Sequence, residues 1–181
     1  DFGWWRIPDQ YSIASLDVLE PRTTRLPLFV FFPTINTHIP FLPIPPYQPD
    51  WSRLGTTEPF DPADVEASVS READWLALGE PYAQSFEYTL AYLADYVRDR
   101  APADALLAFI GDHQPAASVT GPEARWDVPV HIVTNRDDVA ESLLAAGFIE
   151  GVDLAGRPAI GSMASLTTVF LRALDGSRAT H

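Results

Sequence analysis

Three short apolar runs, each followed at once by polar residues, constrain the fold of this chain most strongly. They cover Leu26–Phe32, Ala105–Ile110 and Val128–Val133. Continuous apolar runs of this length are typical of strands that are covered on both faces, as in a parallel sheet. Amphipathic segments alternate with the runs. This alternation predicts the α/β class, with a layered and largely parallel sheet flanked by helices.

The segments between and after the apolar runs predict helices. The segment Pro81–Arg100 carries one apolar stripe at helical spacing, formed by Tyr82, Phe86, Leu90, Leu93 and Val97. Capping residues predict two further helices, from Asp137 or Asp138 to Ala146 and over Met163–Leu174, and we expect a short helix over Ile13–Leu19.

The segment Pro40–Pro49 is rich in proline and can be neither a helix nor a central strand. Each proline lacks an N–H donor and restricts the residue before it. We expect an ordered surface loop that Tyr47 and Trp51 pack down. No internal repeat and no flexible Gly/Ser linker interrupts the chain, so the sequence predicts a single domain over residues 1–181.

Charge and composition exclude several classes of function. The formal net charge is −13 and the sequence pI is about 4.5. A nucleic-acid partner is therefore not expected, because neutralising phosphates requires a clustered positive surface. The chain contains no cysteine, which excludes disulfides, thiolate catalysis and Cys-ligated zinc. Its longest apolar run is far too short to span a bilayer, so this segment is expected to be soluble.

The second apolar run ends at Gly111, and the dipeptide Asp112-His113 follows directly. In open α/β sheets functional groups collect at the carboxyl ends of the strands. A carboxylate and an imidazole placed there can ligate zinc or manganese together. The alternative is structural, because an aspartate at such a place often caps the following helix and most isolated Asp-His dipeptides have no ligand. The flanking Gly111 and Gln114-Pro115 favour metal ligation.

A second histidine, His38, follows the first apolar run and precedes the proline-rich segment. A histidine at this edge of the sheet can donate to an anionic oxygen or ligate a metal. The alternative is a histidine that only packs beneath the proline-rich segment. His131 lies inside the third apolar run, and we interpret it as structural.

Three elements in this order resemble a known family. They are Thr37-His38-x-Pro40-Phe41 after an apolar run, a helix with Tyr82, Ser85 and Tyr88, and a run that ends in Gly111-Asp112-His113. The combination, over roughly Leu26–Val133, is similar to the alkaline phosphatase/sulfatase superfamily. The branch it resembles is that of membrane-anchored sulfatase-like enzymes, such as lipoteichoic acid synthases and phosphoethanolamine transferases.

The resemblance implies a site and a reaction. Asp112 and His113 match metal ligands of the family, and His38 matches the histidine that contacts the substrate's phosphate or sulfate group. Asn36 and Gln114 lie near these residues in sequence. The resemblance also implies a divalent metal ion (Mn, Zn, Mg or Ca) and an anionic phosphate or sulfate ester as substrate. In this family the metal activates a Thr, Ser or modified Cys nucleophile.

The family's nucleophile and its first metal-binding acid lie well before the histidine motif, whereas only 37 residues precede His38 here. We therefore expect the chain to be the carboxy-terminal portion of an alkaline-phosphatase-like fold. Its parent is expected to be a membrane-anchored hydrolase or phospho-group transferase with this domain outside the cytoplasm. The isolated chain is expected to be inactive, and the absent amino-terminal half favours self-association. The alternative is a non-catalytic interaction or scaffold module that retains the fold.

Overall fold

Helices dominate the part of the chain that the structure, a computed structural model, describes: residues 7–19 and 27–175. These residues form two compact units. Unit 1 contains the described residues of Asp1–Asp99 and Pro115–Ala124. Unit 2 contains the described residues of Arg100–Gln114 and Arg125–His181. The single domain expected over residues 1–181 stays a prediction.

Unit 1 is helical. Its elements are α1 (Asp9–Leu19), a 3-10 helix (Trp51–Gly55), α2 (Pro62–Val69), α3 (Gly79–Asp99) and α4 (Ala117–Thr120). The helix α1 packs against both the 3-10 helix and α3. The start of α2 follows from its sequence, because Pro62 takes the first turn and the Asp61 carboxylate accepts a hydrogen bond from Ala63 N at 2.9 Å.

The helix α3 confirms the helix predicted over Pro81–Arg100, but it buries a different face. Two of the five residues of the predicted apolar stripe are exposed, with 43% of Phe86 and 52% of Leu90 accessible to solvent, and the other three are only half-buried. The buried face instead carries hydroxyl groups, on Ser85, Tyr88, Thr89, Tyr92 and Tyr96. Hydropathy treats these residues as polar or ambivalent, so the stripe prediction chose the wrong side of a correctly placed helix.

The proline-rich segment is ordered, as expected, but it does not stay on the surface. Phe41, Leu42 and Gln48 are almost fully buried. Gln48 N donates to the Gln10 side chain at 3.0 Å, and the Gln10 amide donates to the Gln48 carbonyl at 2.8 Å. The Ser68 hydroxyl donates to the Ile44 carbonyl. These three hydrogen bonds satisfy the backbone N–H of Gln48 and the carbonyls of Gln48 and Ile44, which a proline-rich segment cannot pair in the ladder of a β-sheet.

Unit 2 consists of a strand pair covered by helices. The strands β1 (Leu106–Ile110) and β2 (Val130–Thr134) are antiparallel, in a register that pairs Leu106 with Thr134 and Ile110 with Val130. The helices α5 (Asp137–Ala145) and α6 (Met163–Asp175) confirm the two helices predicted for this part of the sequence. The core consists of Val139, Leu143 and Ala173, with Leu106, Ile132, Phe148, Val169 and Phe170 packed against it.

The predicted fold class is wrong. Over the described residues the sheet has two antiparallel strands, and no layered, largely parallel sheet of an alkaline-phosphatase-like fold is present. The first predicted strand is the clearest failure, because residues 27–32 form no strand and Phe29 and Phe31 are 88% and 81% exposed; Leu26 lies outside the described residues. A short apolar run alone does not fix a strand or the direction of its pairing.

The described helices also bear on membrane insertion. Within residues 7–19 and 27–175, none combines the length and the apolar character needed to cross a bilayer.

Candidate functional site

The turn that carries Asp112 and His113 is fixed to the segment that leads into β2. Gly111 N donates to the Pro129 carbonyl at 3.0 Å, and the Gln114 side-chain amide donates to the Asp127 carbonyl. A Cβ atom at Gly111 would lie 3.1 Å from Pro129 Cδ, so glycine permits this close approach. Hydrogen bonds at Gly111 and Gln114, on either side of the pair, therefore hold the backbone from which the Asp112 and His113 side chains project.

Hydrogen bonds fix how the Asp112 and His113 side chains face each other. His113 Nδ1 lies 2.8 Å from the Gln114 carbonyl oxygen, which can only accept, so Nδ1 carries the hydrogen and donates it. In the neutral ring the lone pair then resides on Nε2, which lies 3.4 Å from Asp112 Oδ2. Asp112 Oδ1 accepts from His113 N at 2.9 Å. Two electron-pair donors thus lie close together, an arrangement that a shared metal cation stabilises.

The separation of 3.4 Å between Asp112 Oδ2 and His113 Nε2 fits two ligands of one tetrahedral metal ion. Zinc–nitrogen and zinc–oxygen bonds of about 2.0–2.1 Å at a tetrahedral angle place the two ligand atoms about 3.3 Å apart. Adjacent ligands of an octahedral Mg²⁺ ion at a similar bond length lie only about 2.9 Å apart. The bond from Nδ1 to a carbonyl is also the contact that usually orients a metal-ligating histidine.

The pair does not amount to a full coordination shell. The two side chains are largely exposed, 88% for Asp112 and 67% for His113, and remain open to further ligands. Across residues 7–19 and 27–175, no group of three or more His, Cys, Asp or Glu side chains is arranged to hold a metal ion. Since catalytic zinc sites use three protein ligands, this part of the chain supplies at most two of them.

His38 occupies a tight turn in unit 1. His38 N donates to the Ile35 carbonyl at 3.0 Å, and Phe41 N donates to the His38 carbonyl at 2.9 Å. His38 Nδ1 lies 2.7 Å from the Ile39 carbonyl oxygen and therefore donates to it. The same local arrangement recurs at His113, because both histidines precede an x-Pro dipeptide and both use its first carbonyl. A residue before proline is confined to extended conformations, which fixes the accepting carbonyl.

A buried polar group lies beneath the His38 turn, and sequence reasoning did not identify it. Asp9 Oδ2 accepts from Ile35 N and from Asn36 N, both at 2.8 Å. Asn36 Oδ1 accepts from Asp9 N at 3.2 Å, and the Ser85 hydroxyl donates to the Asn36 carbonyl. Asp9 and Asn36 are 3% and 2% exposed. Asn36, a candidate for a place beside the metal, thus contributes to the support of the turn.

The environment of Asp9 is apolar enough to affect its ionisation. Burial raises the pKa of the Asp9 carboxyl, and the amides of Asn36 and Ile35 lower it by a smaller amount. Burial also raises the pKa values of Tyr88 and Tyr92, and the negative charge of Asp9 raises them further. The carboxylate therefore lies within electrostatic reach of both tyrosine hydroxyls on the buried face of α3.

The predicted site residues fall into both units. Asp112 and His113 lie side by side in unit 2, whereas His38 belongs to unit 1. His131 is paired with Phe109 in the strand ladder and is half-buried. This position agrees with the structural interpretation of His131. Asp9 has no local signal beyond its place at a helix start, where an aspartate is expected to be a cap.

No protein-family model, curated protein or solved structure matches this chain.

Proposed function

We propose that this chain is the carboxy-terminal, metal-ligating portion of a metal-dependent hydrolase or phospho-group transferase that acts on phosphate or sulfate esters. The observation that carries the proposal is the facing pair of Asp112 Oδ2 and His113 Nε2 at 3.4 Å. The resemblance of the His38 and Asp112-His113 motifs to the alkaline phosphatase/sulfatase superfamily supplies the reaction class. The imidazole ligand of the pair favours zinc and manganese over Mg and Ca, which prefer oxygen ligands.

The residues of this chain would divide the work between metal binding and substrate binding. The Asp112 carboxylate and His113 Nε2 would hold the metal, while His113 Nδ1 donates its hydrogen bond to the Gln114 carbonyl. A bound metal of this kind polarises the ester and lowers the pKa of a coordinated hydroxyl group. His38, with Nδ1 donating to the Ile39 carbonyl, would contact an anionic oxygen of the phosphate or sulfate group as an imidazolium, in which Nε2 also carries a hydrogen and donates it.

The proposal requires groups beyond these three residues. A nucleophile and further metal ligands would come from an amino-terminal half of the domain, as in the family that the motifs resemble. By the same resemblance, the parent would be anchored in a membrane with this domain outside the cytoplasm. The isolated 181-residue chain would then bind an anionic ester weakly and show no measurable turnover, since general acid–base catalysis alone contributes only about 10²–10⁴-fold.

The direct test is an activity assay of the full-length protein with an aryl phosphate, an aryl sulfate and a phospholipid donor. An Asp112→Ala/His113→Ala variant is expected to lose metal and activity together. Asp153→Ala is the matched control, because Asp153 is exposed and also accepts a local backbone hydrogen bond, from Ala155 N at 2.9 Å. Full activity in the double variant would show that the metal-site assignment is wrong.

Zinc titration of the isolated chain by calorimetry separates the two ligands from the complete site. Two exposed ligands should give weak binding that the Asp112→Ala/His113→Ala variant abolishes. Turnover by the isolated chain would contradict the need for a second half.

The second candidate is a non-catalytic interaction or scaffold module. The apolar side chains of Leu28, Phe29 and Phe31 favour it, because they are exposed in one contiguous segment. This candidate predicts no turnover by the full-length protein with any of the three substrates. The reading frame upstream of Asp1 discriminates further, since an acid on a strand and a Thr or Ser at a helix start would favour the enzyme.

A further inference from the structure

We propose that Asp9 is a positioning residue that fixes the direction of the His38 imidazole by holding the Ile35–His38 turn. The inference rests on the proposed function, because it assigns His38 the task of contacting an anionic group. It assigns Asp9 no contact with substrate.

The carboxylate of Asp9 replaces the regular pairing that the turn lacks. Residues 27–35 have no regular secondary structure, yet the amides of Ile35 and Asn36 need acceptors where they are shielded from water. Asp9 Oδ2 accepts from both at 2.8 Å, and His38 N closes the turn by donating to the Ile35 carbonyl at 3.0 Å. One residue, Thr37, separates the second of these amides from the imidazole of His38.

These bonds differ from those of an ordinary helix cap. A capping aspartate accepts from amides two or three residues along its own helix. Asp9, the first residue of α1, instead accepts from amides 26 and 27 residues away. Its side chain therefore serves the turn and not the helix that it begins.

The turn is held from a second side, which makes its direction specific. The Ser85 hydroxyl on α3 donates to the Asn36 carbonyl, and the Asn36 side chain accepts from Asp9 N at 3.2 Å. Because α1 packs on α3, the donors and acceptors come from elements that are themselves fixed against each other. A buried, charge-assisted network of this kind stabilises one geometry over its alternatives.

The chain offers a matched control in Gln10, the next residue. Gln10 is fully buried at 0% exposure and makes two hydrogen bonds with the backbone of Gln48, at 2.8 and 3.0 Å. Gln10→Ala should therefore lower stability much as Asp9→Ala does, without removing a bond to the Ile35–His38 turn.

The experiment compares Asp9→Ala, Asp9→Asn and Gln10→Ala in two assays. NMR of the 181-residue chain follows the amide protons of Ile35 and Asn36 and the imidazole ¹⁵N shifts of His38. The turnover of the full-length protein with an aryl phosphate gives kcat and KM separately.

Asp9→Ala is expected to move the two amide signals upfield, to mix the two tautomers of His38, and to lower kcat by about 10–100-fold, the usual cost of losing an orienting partner. Asp9→Asn keeps an acceptor oxygen and should restore most of kcat. Gln10→Ala should leave the His38 signals and kcat near those of the wild type.

Unchanged His38 signals in Asp9→Ala, or equal changes in Gln10→Ala, would overturn the inference. Should Asp9→Ala fail to fold, Ser85→Ala removes the bond to the Asn36 carbonyl from the other side, and the same His38 signals decide. A full-length wild type without turnover would contradict the proposed function, while the NMR comparison would still decide whether Asp9 positions His38.

Discussion

Gly111 lies where the end of β1 turns towards the segment that leads into β2, and adding one methyl group there should measure how tightly the Asp112–His113 turn is held. In Gly111→Ala the new Cβ would meet Pro129 Cδ at 3.1 Å and Val128 Cβ at 3.2 Å. Neither atom can rotate away, because one belongs to a proline ring and the other is attached directly to the backbone. Overpacking of this kind costs about 1–3 kcal/mol.

A compensating effect arises in the unfolded chain. Replacing glycine by alanine restricts the unfolded state and stabilises the folded protein by about 0.4–1 kcal/mol where the backbone permits it. The free energy of unfolding of unit 2 should therefore fall by about 1.3 kcal/mol in Gly111→Ala, the difference between the midpoints of the two ranges. Gly79→Ala is the control, because a Cβ at Gly79 would meet nothing within 4 Å, so only the gain should remain, in unit 1.

The assay is urea unfolding followed by NMR, with the methyl signals of Val139 and Leu143 reporting on unit 2. The ¹⁵N shifts of the His113 imidazole report on the turn in the same samples. A Gly111→Ala protein as stable as the wild type, with unchanged His113 signals, would refute the argument that close packing against Pro129 holds the turn.

Three further outcomes are expected. Leu143→Ala should destabilise unit 2 by about 2–5 kcal/mol in urea unfolding, whereas Leu144→Ala should cost less than about 1 kcal/mol, because Leu143 is 4% and Leu144 is 41% exposed. Asp61→Ala should destabilise α2 by about 1 kcal/mol, seen as faster amide exchange in its first turn, and Asp61→Asn should restore it. Burial raises the pKa of Asp9 above its ordinary value of 3.8, so the folded state binds this proton more tightly than the unfolded state. The free energy of unfolding should fall as the pH rises from about 3.8 through the raised pKa, and this part of the pH dependence should be absent from Asp9→Asn in urea unfolding across that range.

Local signals in the sequence predicted the helices well. The structure places α5 over Asp137–Ala145 and α6 over Met163–Asp175, close to the predicted bounds, because caps and periodicity act within a few residues. The same kind of signal marks the start of α2, in Asp61-Pro62. The pattern of apolar residues fails to identify the buried face of α3, because that face carries hydroxyl-bearing residues such as Tyr92.

Contacts between distant residues could not be predicted from one sequence. The antiparallel pairing of β1 with β2 depends on which strand edges meet and in which direction. The apolar residues of a run do not specify either. The bonds from Asp9 to Ile35 and Asn36 join residues more than 25 positions apart, so no local pattern identifies them. By contrast, the facing of Asp112 and His113 is a local property of adjacent residues. Their role as metal ligands stays a prediction.

The two parts of the candidate site differ in how firmly the chain holds them. The His38 turn is fixed by bonds from Asp9 and Ser85 to buried backbone, whereas Asp112 and His113 project from a mostly exposed turn. This difference suits their proposed tasks. A single hydrogen bond to an anionic oxygen is weak and depends on a preset direction, whereas coordinate bonds are strong enough to hold two exposed ligands in place.

Zinc should therefore affect the two turns differently in the full-length protein. Bound zinc is expected to slow amide exchange at His113 and Gln114 at least tenfold, and to leave exchange at Ile35 and Asn36 unchanged, because Asp9 already protects those amides. Exchange measured with and without a chelator tests both expectations, with Asp112→Ala/His113→Ala as the control. Protection that zinc confers equally on both turns would mean that the His38 turn is not preset by Asp9, and that its order depends on the occupied metal site.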